Sequence, residues 1–365
     1  MNICYDHQVF STQLYGGITR YFIELAKGIP YIDRNTDVNI LAPLYISELL
    51  NENQLKIKGK KIKKKNIKGA SRGVKVINDF FTSKYLSKYK PDLIHETYYN
   101  PGYKNKYKSA IITTVHDMTH EIYSQTYFKN DKTKKYKLEA IRRSDHIICI
   151  SENTKSDLVE LTGVDKDKIS VIYHGTSNQV NYKTKNVYKE KPYLLYVGER
   201  GGYKNFERFI KAYANSIKIK KDFNVICVGG GKVTEEEIKL INNQKIIKNI
   251  SFVKANDIEL SYYYLNASGL VYPSLYEGFG LPIIEAMSNE CPVFTSSVSS
   301  MPEIGGDAAF YFEPLNVESI KHTLEEYLYD RNKIHEKITS GKLRAKQFTW
   351  SECCSKTNAL YKKFI

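Results

Sequence analysis

Residues 272–290, YPSLYEGFGLPIIEAMSNE, limit what this chain can fold into more than any other stretch. The run Gly269-Leu270-Val271-Tyr272 reads as the end of a strand. Pro273 and Ser274 lead into a turn that holds Gly278 and Gly280, and Pro282 follows where a helix would begin. Proline has a fixed φ and no N–H, which suits the first turn of a helix. A strand, a bare turn and a helix in that order leave the amides of Phe279, Gly280 and Leu281 unpaired at the helix mouth, where the helix dipole adds to the attraction for an anion. The stretch therefore reads as a phosphate seat.

Two carboxylates flank it, Glu277 just before the turn and Glu285 in the first helical turns. A carboxylate accepts hydrogen bonds and repels phosphate, so a pair bracketing an anion site suits hydroxyl groups on either side of it. A sugar nucleotide, with its hexose, diphosphate and ribose, has this layout. The alternative is an ordinary strand-to-helix turn with Glu277 solvated and Glu285 on a polar helix face.

At 365 residues the chain exceeds what one hydrophobic core usually holds, so two domains are expected. No apolar run approaches the roughly 18 residues of a membrane span, and MNICYDHQVF lacks a basic-then-apolar signal region, so a cytoplasmic protein is expected. The six cysteines show no C-x-x-C spacing and read as buried thiols, neither a metal site nor a disulfide framework. The net charge of +15 is uneven: residues 51–109 carry 16 Lys or Arg against four acidic residues, and eight lysines crowd between Lys56 and Lys68. Such a cluster suits an anionic lipid surface or a polyanion, or is simply a solvated lysine loop. Aromatic residues do not interleave the run, which argues against a nucleic-acid groove.

Strand-like runs recur along the first half at residues 2–6, 38–42, 93–96, 110–116, 146–151 and 169–174, and along the second at 193–197, 224–228, 250–253, 269–272, 292–295 and 309–312. Between the two sets lies a polar, tyrosine-rich linker, residues 176–193. Strands alternating with helices predict parallel sheets, here two Rossmann-like domains of about six strands each. Gly16 and Gly17 precede an amphipathic helix carrying Ile18, Tyr21, Phe22, Leu25, Ala26 and Ile29, and this turn is either a close approach for a ligand or a plain tight turn. His116 ends the 110–116 run, where a ligand cleft or a structural role would place it. Arg200 and Lys204 stand at the mouth of another glycine-bearing turn, suited to neutralising a diphosphate or exposed as surface charges. Gly229, Gly230 and Gly231 form a third bare turn.

Taken in order, GGITRYFIELA, TTVHD, ICISENTKSDL, ISVIYHG, YVGERGGYKN, VICVGGG, YPSLYEGFGLPIIEAM and SSMPEIGGDAAFYF resemble glycosyltransferase family 4, the retaining enzymes of the α/β GT-B fold, over nearly the whole chain. EGFGLPIIE matches the family's E-x7-E signature, and VGERGGYKNF with FTWSECCSKTNALY looks most like the bacterial branch that builds O-antigen, capsule and exopolysaccharide. The resemblance implies two doubly wound domains facing across a cleft: 1–180 for the acceptor, with a terminal helix at 349–365 packing back on it, and 190–348 for the nucleotide sugar. It implies that Glu285 binds ribose and Glu277 the donor hexose, while Arg200, Lys204 and the amides of Gly278, Phe279, Gly280 and Leu281 hold the diphosphate. It places His116 near the donor sugar and the acceptor hydroxyl, Gly16 and Gly17 by the phosphates or acceptor, and Val253 and Lys254 at the base. A hexosyl donor of the GDP-mannose type, a glycan or lipid-linked glycan acceptor, no cofactor, no metal and contact with the inner face of the membrane are the corresponding expectations. A UDP-sugar transferase, a sugar-nucleotide epimerase of the same fold and a non-catalytic nucleotide-sugar-binding protein remain as alternatives. A dinucleotide oxidoreductase does not fit, because no full glycine fingerprint with its acidic partner is present.

Overall fold

A computed structural model describes residues 1–50, 55–63, 70–100, 108–176 and 191–365, with side chains from 73 onward in the third of these segments. The chain forms two compact units, Met1–Gly175 with Trp350–Ile365, and Thr176–Thr349. Against the expected limits of 180, 190 and 348, the division falls after residues 175 and 349. Most of the expected linker, residues 177–190, lies outside the described residues.

The first unit is built on β1 (Asn2–Tyr5), β2 (Asp37–Tyr45), β3 (Lys56–Lys61), β4 (Leu93–Glu96), β5 (Ala110–Val115), β6 (His146–Cys149) and β7 (Ile169–Val171). They pair in the order β3-β2-β1-β4-β5-β6-β7, all parallel. Central strands such as β4 and β6 are buried at every position, as a sheet covered on both faces requires. The Gly17–Ile32 helix lays Tyr21, Phe22, Leu25 and Ile29 on this sheet, the face its apolar spacing predicts. The Trp350–Tyr361 helix packs in the same core through Cys353, Cys354, Leu360 and Tyr361. All six cysteines are buried and unbridged.

β3 departs from the sequence reading, which assigned no strand to the lysine cluster and gave the unit about six strands. Residues 56–61 pair with β2 as the outermost strand, with a bulge between Leu41 and Leu44. A strand paired on one side can carry lysine at alternate positions, and edge lysines also discourage pairing with other chains. Gly59 is needed there, because a Cβ would lie 1.6 Å from the Ala42 carbonyl oxygen. Of the other lysines of the cluster, Lys63 follows the strand, exposed, and Lys64, Lys65 and Lys68 lie outside the described residues.

The second unit has β8 (Tyr193–Val197), β9 (Asn224–Val228), β10 (Ile250–Val253), β11 (Gly269–Tyr272), β12 (Val293–Ser296) and β13 (Phe310–Phe312). Their order is β10-β9-β8-β11-β12-β13, again parallel. The strands run outward in both directions from β8 and β11, so the order reverses between these two. Loops leaving the carboxyl ends of such a central pair diverge to opposite faces and open a crevice, the usual ligand position in doubly wound sheets.

Three of the buried histidines of the first unit, His95, His116 and His174, meet its aromatic side chains. His95 is hydrogen-bonded through Nε2 to Thr114 Oγ1 at 2.8 Å and through Nδ1 to the Tyr361 hydroxyl, which ties the last helix to β4 and β5. His116 and His174 flank Tyr21, with ring centroids 5.4 and 4.8 Å from it. Burial lowers all three pKa values, those of His95 and His116 to about 3. The folded pKa is thus below the unfolded value, so between pH 6.5 and 3 the unfolded chain binds more protons and stability falls as the solution is acidified. Each ring contributes up to about 1.4 kcal/mol per pH unit in that window. Denaturant unfolding of this unit should therefore weaken from pH 7 to pH 5, and a flat profile over that range would contradict the buried neutral rings.

Candidate functional site

The site is assembled at the β8/β11 reversal of the second unit. After β11 the chain turns through residues 273–280 and enters the Leu281–Ser288 helix. Gly280 caps this helix at φ +102°, a conformation that side chains rarely adopt, and Pro282 stands in its first turn. The turn is held from two sides. Leu275 N–H donates to the Tyr203 carbonyl at 2.8 Å, and Asn205 Nδ2 donates to the carbonyls of Pro273 and Pro314 at 2.9 and 2.8 Å. From the loop after β12, the hydroxyls of Ser299 and Ser300 both donate to the Glu277 carbonyl, at 2.7 and 2.9 Å, and Ser300 also reaches the Phe279 carbonyl. With the turn's carbonyls tied back into the protein, its geometry is set before any ligand arrives.

After β8 the chain passes through residues 198–205 into the Phe206–Asn215 helix. Lys204 Nζ lies 2.7 Å from Glu277 Oε1, joining the two switch-point loops, and both side chains are mostly buried at 18 % and 12 % exposure. The ammonium also lies 5.2 Å from the Tyr203 ring centroid and 6.0 Å from that of Tyr272. Burial first, then the charge of Glu277, raises the Tyr272 pKa well above its usual value, so the phenol stays protonated as a donor. In the helix itself, Glu285 accepts a hydrogen bond from the Tyr264 hydroxyl at 3.0 Å. The structure therefore brings Lys204, Glu277 and the amides of residues 278–281 into one turn system, with Glu285 on the helix that the turn opens.

Arg200, expected at the diphosphate, is held here by groups of its own unit. It is 5 % exposed, and its Nε donates to Glu237 Oε1 at 2.6 Å while Nη1 donates to the Gly229 carbonyl at 2.7 Å. Nη2 donates to the Lys232 carbonyl at 3.2 Å, and the guanidinium lies 4.9 Å from the Phe252 ring centroid. It is therefore not a surface charge. The physical reason lies in the Gly229-Gly230-Gly231 turn, where all three residues have positive φ and the carbonyls need donors. A planar fork of N–H groups meets several acceptors at once.

Val253 ends β10, and its carbonyl accepts from Gly229 N at 3.0 Å; Lys254 follows it, exposed. In the first unit, Gly16 caps the Gly17–Ile32 helix in extended backbone, where a Cβ would meet the Gln13 side chain at 2.3 Å. His116 follows β5, 7 % exposed, and its Nε2 has no hydrogen-bond partner among the described residues. Sequence reasoning missed Asn205, Ser299, Ser300, Tyr264 and Tyr272. Asn205 had a signal in the asparagine that follows the glycine-bearing turn and precedes a helix, a suitable residue for its φ of +60°. The serines had none, since they act on the turn from a loop more than 20 positions away.

Replacing Arg200 by Ala should cost about 3 kcal/mol in denaturant unfolding, because Glu237 and the glycine-turn carbonyls lose their partner in a buried setting. Arg200→Lys should recover only part of that loss. Unchanged stability combined with lost ligand binding would return Arg200 to the phosphate role.

Two family models match the chain in succession: Glycosyltransferase Family 4 over residues 15–179, and Glycosyl transferases group 1 over residues 178–344. The chain is 28% identical over 284 residues to O-antigen chain mannosyltransferase B of Escherichia coli, covering 73% of this chain and 74% of that one. It is 31% identical over 204 residues to O-antigen chain mannosyltransferase RfbU of Salmonella typhimurium, covering 55% and 56%. In architecture it matches a sucrose-phosphate synthase from Thermosynechococcus elongatus with a TM-score of 0.81 at 19% identity, over 99% of this chain and 98% of that one. Two parallel Rossmann-like sheets, a turn system at the strand-order reversal of the second sheet and these matches together make the chain a GT-B glycosyltransferase belonging to family 4, similar to bacterial O-antigen mannosyltransferases.

Proposed function

We propose that the protein transfers a hexose, with mannose from GDP-mannose the favoured donor, to a hydroxyl of a glycan or lipid-linked glycan in bacterial surface polysaccharide synthesis. The observation that carries this reading is the Lys204–Glu277 pair at the mouth of the glycine turn that opens the Leu281–Ser288 helix. It sets a cation and a hydroxyl-binding carboxylate beside an anion seat, which matches the hexose–diphosphate junction of a nucleotide sugar. The choice of mannose is supported by the O-antigen mannosyltransferases to which the chain is similar.

In this reading the amides of Gly278, Phe279, Gly280 and Leu281, together with Lys204, hold the diphosphate. Glu277 accepts hydrogen bonds from the hexose and Glu285 from the ribose, while backbone groups near Val253 and Lys254 meet the base. The bond from the anomeric carbon to the diphosphate oxygen breaks and a bond to the acceptor oxygen forms on the same face, so configuration is retained. The departing phosphate oxygen takes the acceptor's proton. Negative charge grows on the diphosphate as the bond lengthens, and fixed donors aimed at it lower the barrier. With that charge met by protein donors, the reaction needs no metal ion. On the first unit, His116 and the Gly16–Gly17 turn are the residues proposed for the sugar and acceptor side; a neutral, buried imidazole there can accept or donate a hydrogen bond but carries no charge. The lysines between Lys56 and Lys68 are proposed to meet an anionic membrane where a lipid-linked acceptor resides.

A thermal-shift panel of GDP-, UDP-, ADP- and dTDP-sugars should give its largest stabilisation with GDP-mannose. Under the same conditions Glu277→Ala should lower transfer on the order of 10²-fold or more while the protein stays folded. Turnover retained in that variant would remove Glu277 from the site. A largest shift with another nucleotide sugar would replace the proposed donor.

A further inference from the structure

The Ala70–Tyr89 helix of the first unit is inverted in its polarity. Its sheet-facing positions include two polar residues, Asn78 and Thr82, followed by Leu86. Asn78 docks the helix on the β2 bulge, its Nδ2 donating to the Leu44 carbonyl at 2.9 Å and its Oδ1 accepting from Leu44 N–H at 2.7 Å. The apolar residues face outward instead: Val76, Ile77, Phe80, Phe81 and Tyr89 are between 42 % and 68 % exposed. Beside this stripe a groove of about 380 Å³ runs between the helix and edge strand β3, with Pro43, Phe81 and Tyr85 among its walls and Lys58 and Lys60 on its lip. Lys58, Lys60, Lys84 and Lys88 are exposed and make no ion pair among the described residues.

Edge protection accounts for the lysines of β3. It does not account for a run of large apolar side chains turned to solvent on the neighbouring helix, because a contiguous exposed apolar patch marks a surface that meets something apolar. The occupant must therefore be apolar in its middle and negative around it. A second copy of this chain, meeting the face symmetrically, would set these lysines against one another. A nucleic acid would satisfy the lysines and leave the stripe in water. An anionic lipid bilayer meets both demands, taking aromatic and aliphatic side chains at the acyl boundary and lysines among the headgroups.

We propose that the outward face of the Ala70–Tyr89 helix, with the groove and lysine lip of β3, is an interfacial docking surface for an anionic bilayer. The helix lies in the plane of the headgroups, with Phe80 and Phe81 as its anchors. This deepens the reading of a membrane-side acceptor, and the surface can fail without the glycosyltransferase assignment failing.

The test uses the full chain with phosphatidylglycerol-containing vesicles and neutral phosphatidylcholine vesicles. The protein should co-sediment with the anionic vesicles, less so as salt is raised, and at least tenfold more weakly with the neutral ones. Phe80→Ser/Phe81→Ser should weaken binding at least tenfold, and Lys58→Gln/Lys60→Gln several-fold. Both variants should retain the thermal shift with nucleotide sugar, since neither touches the second unit. A Phe81→Trp variant should be quenched by brominated lipid, which reports insertion directly. Equal binding to both vesicle types, binding unchanged in Phe80→Ser/Phe81→Ser, an unquenched Phe81→Trp, or a dimer that the serine pair dissociates would each overturn the proposal.

Discussion

The site depends on the side-by-side placement of β8 and β11, two strands separated by more than 70 residues of sequence. Their loops leave the same edge of the sheet, and the Lys204–Glu277 pair closes the gap between them. An ion pair in this setting is a weak source of stability, since each partner gives up water to make it. Its value is geometric, because it sets a cation and a carboxylate side by side at the mouth of the glycine turn that opens the Leu281–Ser288 helix. A ligand that brings phosphate to the ammonium and hydroxyls to the carboxylate can replace the pair without leaving either group bare.

Around this pair the turn is braced by polar side chains that bond its carbonyls. Asn205 ties the β8 loop to the carbonyls of Pro273 and Pro314, and Ser300 fixes the carbonyls of Glu277 and Phe279. Arg200 performs the same kind of service one loop away, gathering the Gly229 and Lys232 carbonyls and Glu237 under a single guanidinium. Glycines allow the backbone to come close, and they also leave it without a preferred shape. The polar clamps supply the shape.

Much of this was legible in the sequence. Strand-like runs of four to seven residues marked twelve of the thirteen strands among the described residues, because strands buried on both faces carry few polar interruptions. The strand, turn and helix of residues 269–288 were legible for a local reason: a strand end, glycines and a helix-starting proline are contiguous. The lysine strand β3 was not, since its stability comes from hydrogen bonds to β2 and leaves no apolar pattern behind. Arg200 was legible as a residue of the right turn and illegible in direction, since its partners Glu237 and Gly229 lie about 30 positions away. Side-chain direction is a tertiary property, and periodicity does not encode it. The outward stripe on the Ala70–Tyr89 helix escaped for the opposite reason, as apolar residues at helical spacing ordinarily signal a face turned inward.

The path of the backbone has one more consequence. The core of the first unit is sealed by Leu360 and Tyr361, with Tyr361 bonded to Tyr5 and His95, yet these residues leave the ribosome only after the whole second unit. During synthesis the amino-terminal lobe must wait, with one flank of its interior uncovered, while some 170 intervening residues emerge and collapse around their own sheet. The lobe made first is thus the lobe finished last, and a ribosome that stalls late would release a chain whose second half is complete and whose first half is not.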